Sequence, residues 1–334
     1  MERSPQHQAA SQAPQPESRP QPQPKTPASW LANPRETKAL LARYGHGPKH
    51  RLGQNFLVDV HVVDKILDLA ELQPHDLVLE VGPGIGTLSV ALLGRAGAVV
   101  ALEADASLKP VLAETCAQDS ERFHLHLGDA LKVSPEVLVE ALGKMPNKLV
   151  SNLPYQIAAT LILKVLETMP EIERMVIMVQ AEVADRIAAA PGSKAYGAYT
   201  AKLALFGQVT GRFEVGPGSF MPPPHVNSAV VRIDRWPEAA SSRQETRDQE
   251  GQGELLPQDL ATDEKLSCAY VIDAAFSQRR KTIRNAMASQ GFDKQLLDTA
   301  FAAAKINPGC RAETLGIQDF IRLAQALLWP RQGV

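Results

Sequence analysis

Short apolar runs rich in strand-forming residues, at positions 77–81, 98–102, 123–127, 148–151 and 175–179, alternate with longer segments whose apolar side chains recur at helical spacing. Strand and helix in repeated alternation predict an α/β architecture. One more strand is predicted over 228–233, entered from the turn Pro222-Pro223-Pro224. Toward the C-terminus the pattern turns to helix alone, over 265–288, 293–304 and 317–328, with Gly291 and Asn307-Pro308-Gly309 as breaks between them. The sequence carries no internal repeat.

Two stretches escape both periods. Residues 1–29 are dominated by Pro, Gln, Ser and Ala and hold too few apolar groups to offset the entropy of ordering, which predicts a disordered tail. Residues 236–263 run through Ser241, Ser242, Arg243, Gln244 and Glu245 into an acidic, Gln- and Gly-containing segment, as expected of a linker or surface insertion. A main α/β domain is thus expected over 30–235 and a small all-helical domain over 264–334.

Composition narrows the class. Of the 334 residues 44% are hydrophobic and 22% charged, an ordinary globular balance that excludes a collagenous, coiled-coil or wholly disordered chain. Lys plus Arg (35) nearly equals Asp plus Glu (37), giving a net charge of −2, so any contact with nucleic acid must come from a local basic patch. Cys116, Cys268 and Cys310 show neither zinc-ligand nor disulfide-framework spacing, which points to a reducing compartment and to no structural metal. The longest uncharged apolar-leaning stretch, 81–94, falls short of the ~18 residues of a membrane span. The Gln/Pro-rich N-terminus also lacks the apolar centre of a secretory signal, so a cytoplasmic protein is expected.

The chemistry concentrates at the ends of the predicted strands. The run 77–81 enters a turn with Gly82, Gly84 and Gly86, where bare backbone can approach a ligand. The spacing is G-x-G-x-G after Glu80, not the G-x-G-x-x-G of a dinucleotide site; an acid there would repel a pyrophosphate but suits a cationic sulfonium and its amino group. That favours S-adenosylmethionine over a nicotinamide cofactor. Glu103 ends the next strand 21 residues beyond Gly82 (103 − 82), the place from which a carboxylate grips an adenosine ribose. Asp129 follows the third strand and is placed to accept from an adenine amine, although Gly-Asp is also common in plain turns. The fourth delivers Asn152-Leu153-Pro154-Tyr155. There the Asn152 side-chain oxygen and the Leu153 carbonyl can each accept an N–H of a base amine, turning its lone pair toward a methyl donor. Pro154 stiffens the turn, and Tyr155 offers a ring for stacking. The plainer alternative is a turn in which Asn and Pro only cap the following helix.

With these motifs stand 53–59 (Gly-Gln-Asn-Phe-Leu-Val-Asp), Gly128-Asp129-Ala130, 180–186, Tyr196-Gly197 and 220–231. In this order they resemble the ribosomal RNA adenine dimethyltransferase family, whose bacterial housekeeping member dimethylates two adjacent adenines in the terminal hairpin of 16S rRNA. The resemblance covers most of 53–233 and continues into the C-terminal helices. It implies a class I S-adenosylmethionine-dependent methyltransferase, that is, a Rossmann-like doubly wound sheet with a small C-terminal all-helical domain. S-adenosylmethionine would be held by Asn55, Leu57, Gly82, Glu103, Asp129 and Asn152, and a catalytic set of Asn152, Leu153, Pro154 and Tyr155 would be joined by Phe220 as a second stacking face. It also implies a monomer acting on 16S rRNA in the small ribosomal subunit or its assembly intermediate, without a metal. Lys49 and Arg51 ahead of the Gln54-Asn55 segment, and Arg279, Arg280, Lys281 and Arg284 on the first C-terminal helix, are the expected RNA contacts; Arg280 and Arg284 stand four apart on one helical face. The alternatives are a resistance-type enzyme methylating 23S rRNA and a non-catalytic assembly factor on the same fold. The glycine spacing disfavours a nicotinamide oxidoreductase.

Overall fold

The computed structural model describes residues 28–45, 47, 54–237 and 255–328. Its elements in chain order begin with α1 (Pro34–Arg43), β1 (Phe56–Leu57), α2 (Val60–Ala70), β2 (Leu77–Val81), α3 (Thr87–Leu93), β3 (Ala98–Glu103), α4 (Lys109–Thr115) and β4 (Phe123–Leu127). Then come α5 (Pro135–Leu142), β5 (Lys148–Asn152), α6 (Ala158–Thr168), β6 (Arg174–Gln180), α7 (Ala181–Ile187), α8 (Ala198–Phe206), β7 (Gly207–Val215), β8 (Phe220–Met221) and β9 (Ser228–Arg235). The C-terminal helices are α9 (Thr262–Phe276), α10 (Ile283–Ala288), α11 (Lys294–Ala304) and α12 (Ile317–Leu328).

Seven strands form one sheet in the order β4-β3-β2-β5-β6-β9-β7. The first five are parallel; β9 pairs antiparallel with β6 and with the edge strand β7, which therefore runs in the direction of the first five. The chain reverses its direction of winding between β2 and β5, the switch point where open α/β sheets take their ligands. Both faces are covered, which is why β2 reads as an apolar run broken only by Glu80. Leu79 and Val81 pack toward α5, α6 and the C-terminal helices, while Val78 packs toward α2 and α3. A smaller cluster seats α1 on the glycine turn: Leu31, Leu40 and Leu41 bury Ile85, Leu108 and Leu112. Among the described residues no helix is long and apolar enough to cross a membrane.

Each predicted strand appears within a residue or two of its expected bounds. β7 was not among them. It is an edge strand with an irregular register between Val209 and Gly211, and Gly211 passes so close to α2 that a Cβ there would lie 2.9 Å from Leu69 Cδ2. The helix after the glycine turn starts at Thr87, because Gly86 takes a left-handed conformation (φ 90°) and ends the turn.

The single helix expected over 265–288 is two helices. Thr282 adopts an extended conformation and its side chain accepts from Asn285 N, capping a new helix. Ser277 Oγ donates to the Ala286 carbonyl, and the new direction buries Ile283, Ala286 and Met287 completely. The predicted insertion also ends early: Leu260 is buried and α9 already begins at Thr262. The core of the C-terminal helices is continuous with that of the sheet, for Phe301 and Phe320 share one apolar cluster with Leu161 and Ile177. The tail up to residue 27 and residues 238–254 lie outside the described residues.

Candidate active site

The ladder between β2 and β5 stops early. Val78 pairs with Lys148 and Leu79 with Leu149, after which Ser151 Oγ takes over: it donates to the Val81 carbonyl (2.5 Å) and accepts from Val81 N (3.3 Å). A buried hydroxyl thus holds the two strands while their ends diverge into a crevice. The glycine turn forms one wall. Gly82 and Gly84 have φ of 72° and 59°, a region that costs a side chain roughly 1–2 kcal/mol. A Cβ on Gly82 would lie 3.1 Å from Pro154 Cγ, and one on Gly84 would lie 3.3 Å from the Phe56 ring. Glycine is needed here for conformation and for room.

Glu103 closes the far end of the crevice. Its carboxylate accepts from Gly84 N (3.2 Å) and Asp105 N (2.8 Å), so the acid that ends β3 also braces the glycine turn. Burial raises its pKa above the ordinary carboxylate value, although those backbone hydrogen bonds oppose the shift. Asp129 sits at the rim, where it accepts from Leu131 N. On the open side, Asn55 and Leu57 line the same pocket, and Gln54 Nε2 donates to Asp105 Oδ2 at 2.9 Å, tying this segment to the end of β3.

Asn152 is the last residue of β5, and Leu153 N donates to the Met178 carbonyl on β6 at 3.0 Å. Neither the Asn152 side-chain amide nor the Leu153 carbonyl has a hydrogen-bond partner among the described residues, and both residues line the pocket. Two acceptors are therefore held beside the glycine turn with their capacity unused. Tyr155 is half-buried on the same wall, and burial raises its phenol pKa. Its hydroxyl lies 2.6 Å from Ser228 Oγ.

Phe220, expected opposite Tyr155, is 3% exposed. It pairs with Leu57 in the β1–β8 ladder, packs with Val62, Val215 and Val230, and does not line the pocket.

Glu80 differs from its expected role as a charged counter-ion. It is wholly buried beneath the turn and accepts from Ser89 Oγ at 2.6 Å, and desolvation pushes its pKa up to about 8. At neutral pH it is mostly protonated. Nothing in the residue pattern signals this, since the acid at the strand end does not reveal the serine nine residues on that covers it. Thr87, also missed, lines the pocket with a buried hydroxyl that has no partner among the described residues.

The expected RNA contacts form no such constellation. Arg280 and Arg284 do not share a helical face, because the chain from Ser277 to Thr282 is a turn between α9 and α10. Arg284 is engaged by both oxygens of Asp298, and Arg279 by Glu313 and the Lys194 carbonyl. Arg280 and Lys281 are exposed and without a carboxylate partner among the described residues. Lys49 and Arg51 lie outside the described residues.

A doubly wound sheet with an antiparallel strand beside its edge, a glycine turn after the first sheet strand and an acid at the end of the next define a class I S-adenosylmethionine-dependent methyltransferase. Residues 45–247 match the family described as ribosomal RNA adenine dimethylase, and the chain belongs to that family. It is 38% identical over 299 residues to ribosomal RNA small subunit methyltransferase A of Streptomyces coelicolor, covering 88% of this chain and 96% of that protein. The protein of the same name from Syntrophotalea carbinolica is 38% identical over 282 residues, 84% of this chain and 97% of its own. In fold the chain is similar to a dimethyladenosine transferase from Plasmodium falciparum, with a TM-score of 0.63 at 24% identity over 80% of this chain and 95% of that one. It is similar again to the 23S rRNA methyltransferase ErmE, with a TM-score of 0.59 at 23% identity over 82% and 99%.

The family uses S-adenosylmethionine as methyl donor, and the residues present fit it. The turn at Gly82 and Gly84 leaves a cradle that a Cβ would fill, and Glu103 keeps acceptor capacity beyond its two backbone bonds.

Proposed function

We propose that this chain transfers methyl groups to N6 of two adjacent adenines in the 3′-terminal hairpin of 16S rRNA, within the small ribosomal subunit or its assembly intermediate. It does so as a cytoplasmic monomer with a part in small-subunit biogenesis. The observation that carries this reading is the pair of unused acceptors, Asn152 amide and Leu153 carbonyl, fixed beside the glycine turn. An exocyclic amine is the group they suit, since it has two N–H donors to give and needs its lone pair freed from the ring. The small-subunit relatives support the choice of RNA.

When bound, S-adenosylmethionine supplies an electrophilic methyl on a sulfonium. Gly82 lets the backbone approach the methionine part, Glu103 accepts from the ribose hydroxyls, Asp129 meets the adenine amine, and Asn55 and Leu57 close the open side. Asn152 and Leu153 orient the target nitrogen, Pro154 limits the freedom of the turn, and Tyr155 stacks on the base. No residue here needs to act as a strong base; the rate comes from positioning. After the first transfer the amine retains one N–H, enough for one of the two acceptors to orient it again. Phe220 can provide a second face only if the β1–β8 segment shifts to uncover it, since the ring is now buried. Arg280 and Lys281, without a carboxylate partner among the described residues, would contact rRNA phosphates.

The test is transfer of labelled methyl to small subunits lacking the modification, with large subunits in parallel, by wild type and by Asn152→Ala. Label in 16S rRNA that falls about a hundredfold or more in the variant is expected, on the scale of losing one preorganised hydrogen-bonding group. Label in 23S rRNA instead identifies the resistance-type enzyme. Subunit binding without transfer identifies an assembly factor.

A further inference from the structure

The stretch Val226-Asn227-Ser228 lines no part of the pocket, yet it ends on a fully buried hydroxyl that reaches the site: Ser228 Oγ lies 2.6 Å from the Tyr155 hydroxyl. We infer that Ser228 is a positioning residue for methyl transfer, fixing the Tyr155 ring as a preset stacking face for the target adenine. The inference rests on the adenine methylation proposed above.

Ser228 is itself firmly placed. It opens β9 between Gln180 of β6 and Val215 of β7, and the carbonyl of the preceding Asn227 accepts from Ala181 N at 2.9 Å. The backbone of Tyr155 is fixed from the other side. Leu153 N is bonded to the Met178 carbonyl, and the Pro154 carbonyl accepts from the N–H groups of Ile157 and Ala158. The side chain is thus tethered at both ends, by its turn on β5 and by its hydroxyl on β9. A half-buried tyrosine without the second tether could swing about its side-chain torsions, and a base arriving on it would have to order the ring as well as itself. With the hydroxyl engaged by Ser228, what remains for a substrate is the face of the ring. The buried phenol also stays neutral, because desolvation raises its pKa, so it is a poor candidate for a base.

The experiment compares Ser228→Ala, Tyr155→Phe and the double variant in steady-state methyl transfer to rRNA, alongside calorimetric binding of S-adenosylhomocysteine. Each single variant should lower kcat about ten- to a hundredfold, the scale of a misplaced reacting group. Cofactor-product affinity should be unchanged, and the double variant should be no worse than either single one, since all three remove the same bond. Tyr155→Phe removes a single oxygen, so the comparison stands even if Ser228→Ala folds poorly. Wild-type kcat in Ser228→Ala would overturn the inference. So would effects that multiply in the double variant, or a loss of S-adenosylhomocysteine affinity in step with kcat. Kinetics are measured on whichever rRNA the wild type methylates, so a wrong target shows in the wild type and a wrong role for Ser228 shows only in the variants.

Discussion

Gly82 and Glu80 stand two residues apart and make opposite demands on the same turn. Gly82 must be bare, and Gly82→Ala is expected to destabilise the fold by about 1–2 kcal/mol through its left-handed φ. It should weaken S-adenosylhomocysteine binding as well, because the new Cβ presses on Pro154; a thermal melt and a titration would show both. Glu80 must be buried, and its proton follows from that. Its pKa is raised from the ordinary 4.5 to about 8 by desolvation, partly offset by the Ser89 hydrogen bond, with Glu103 adding a smaller push upward. For an acid whose folded pKa is raised, the unfolded chain ionises first as pH increases. The stability associated with Glu80 is therefore full below about 4.5 and is lost progressively as pH rises toward 8. Glu80→Gln, which keeps the shape of the protonated acid, should flatten the melting-temperature profile over that interval and melt higher than wild type at pH 8. An unchanged slope would show that Glu80 is ionised in the folded protein. At this scale the sequence already marked the glycines, Glu103, Asp129 and the Asn152–Tyr155 turn by type and spacing. It could not show the burial of Glu80 or Phe220, because burial depends on what other segments lay over a residue.

The strands carry function at one end and fastening at the other. At the start of β5, Lys148 is buried and donates to Asp76 Oδ2 (2.8 Å) and to the carbonyls of Ala70 and Glu71, while Asn147 bonds the other oxygen of Asp76. Burial alone would raise the pKa of Asp76, but the hydrogen bonds from Lys148, Asn147 and Gln73 N outweigh it and carry it below the ordinary value. Lys148→Met should cost about 3–5 kcal/mol at pH 7 by stranding a buried carboxylate. The deficit should shrink in acid: an acid with a lowered pKa contributes stability above its unfolded value, and the wild type loses that advantage as pH falls through the folded one. Urea melts at pH 7 and at a series of pH values below 3.8, the ordinary aspartate value, would check this. The strands that the sequence announced most clearly are those buried on both faces. β7 went unannounced because two of its inward positions are Gly207 and Gly211, so an alternation that is regular in the structure shows only weakly in side-chain type. The break between α9 and α10 was hidden for a different reason. Residues 277–282 have helix-compatible side chains, and only the cap at Thr282 and the burial of Met287 in a second direction decide against a continuous helix.

For the whole molecule, a net charge of −2 means that binding to RNA must depend on where the cations are. Arg279 and Arg284 are held by acids, whereas Arg280 and Lys281 have no carboxylate partner among the described residues and under the proposed function would meet phosphates. Replacing Arg280 or Lys281 by Ala should weaken subunit binding and reduce its dependence on log salt by about one unit each, with S-adenosylhomocysteine affinity unchanged. Replacing Arg284 should act mainly on stability. The C-terminal helices are joined to the catalytic body by one continuous core and by specific bonds, among them Tyr196 Oη to the Leu315 carbonyl at 2.9 Å and Gly192 N to the Glu313 carbonyl at 2.7 Å. The basic turn is therefore carried at a fixed position relative to the crevice. Under the proposed function, the crevice between β2 and β5 orients an adenine amine of the small-subunit RNA for two successive methyl transfers. The most direct measurement is nucleoside analysis of the 3′-terminal fragment of 16S rRNA, from small subunits lacking the modification, after incubation with the protein and S-adenosylmethionine. N6,N6-dimethyladenosine at two adjacent positions is predicted; unmodified adenine in that fragment, or methyl groups anywhere but on N6, would contradict it.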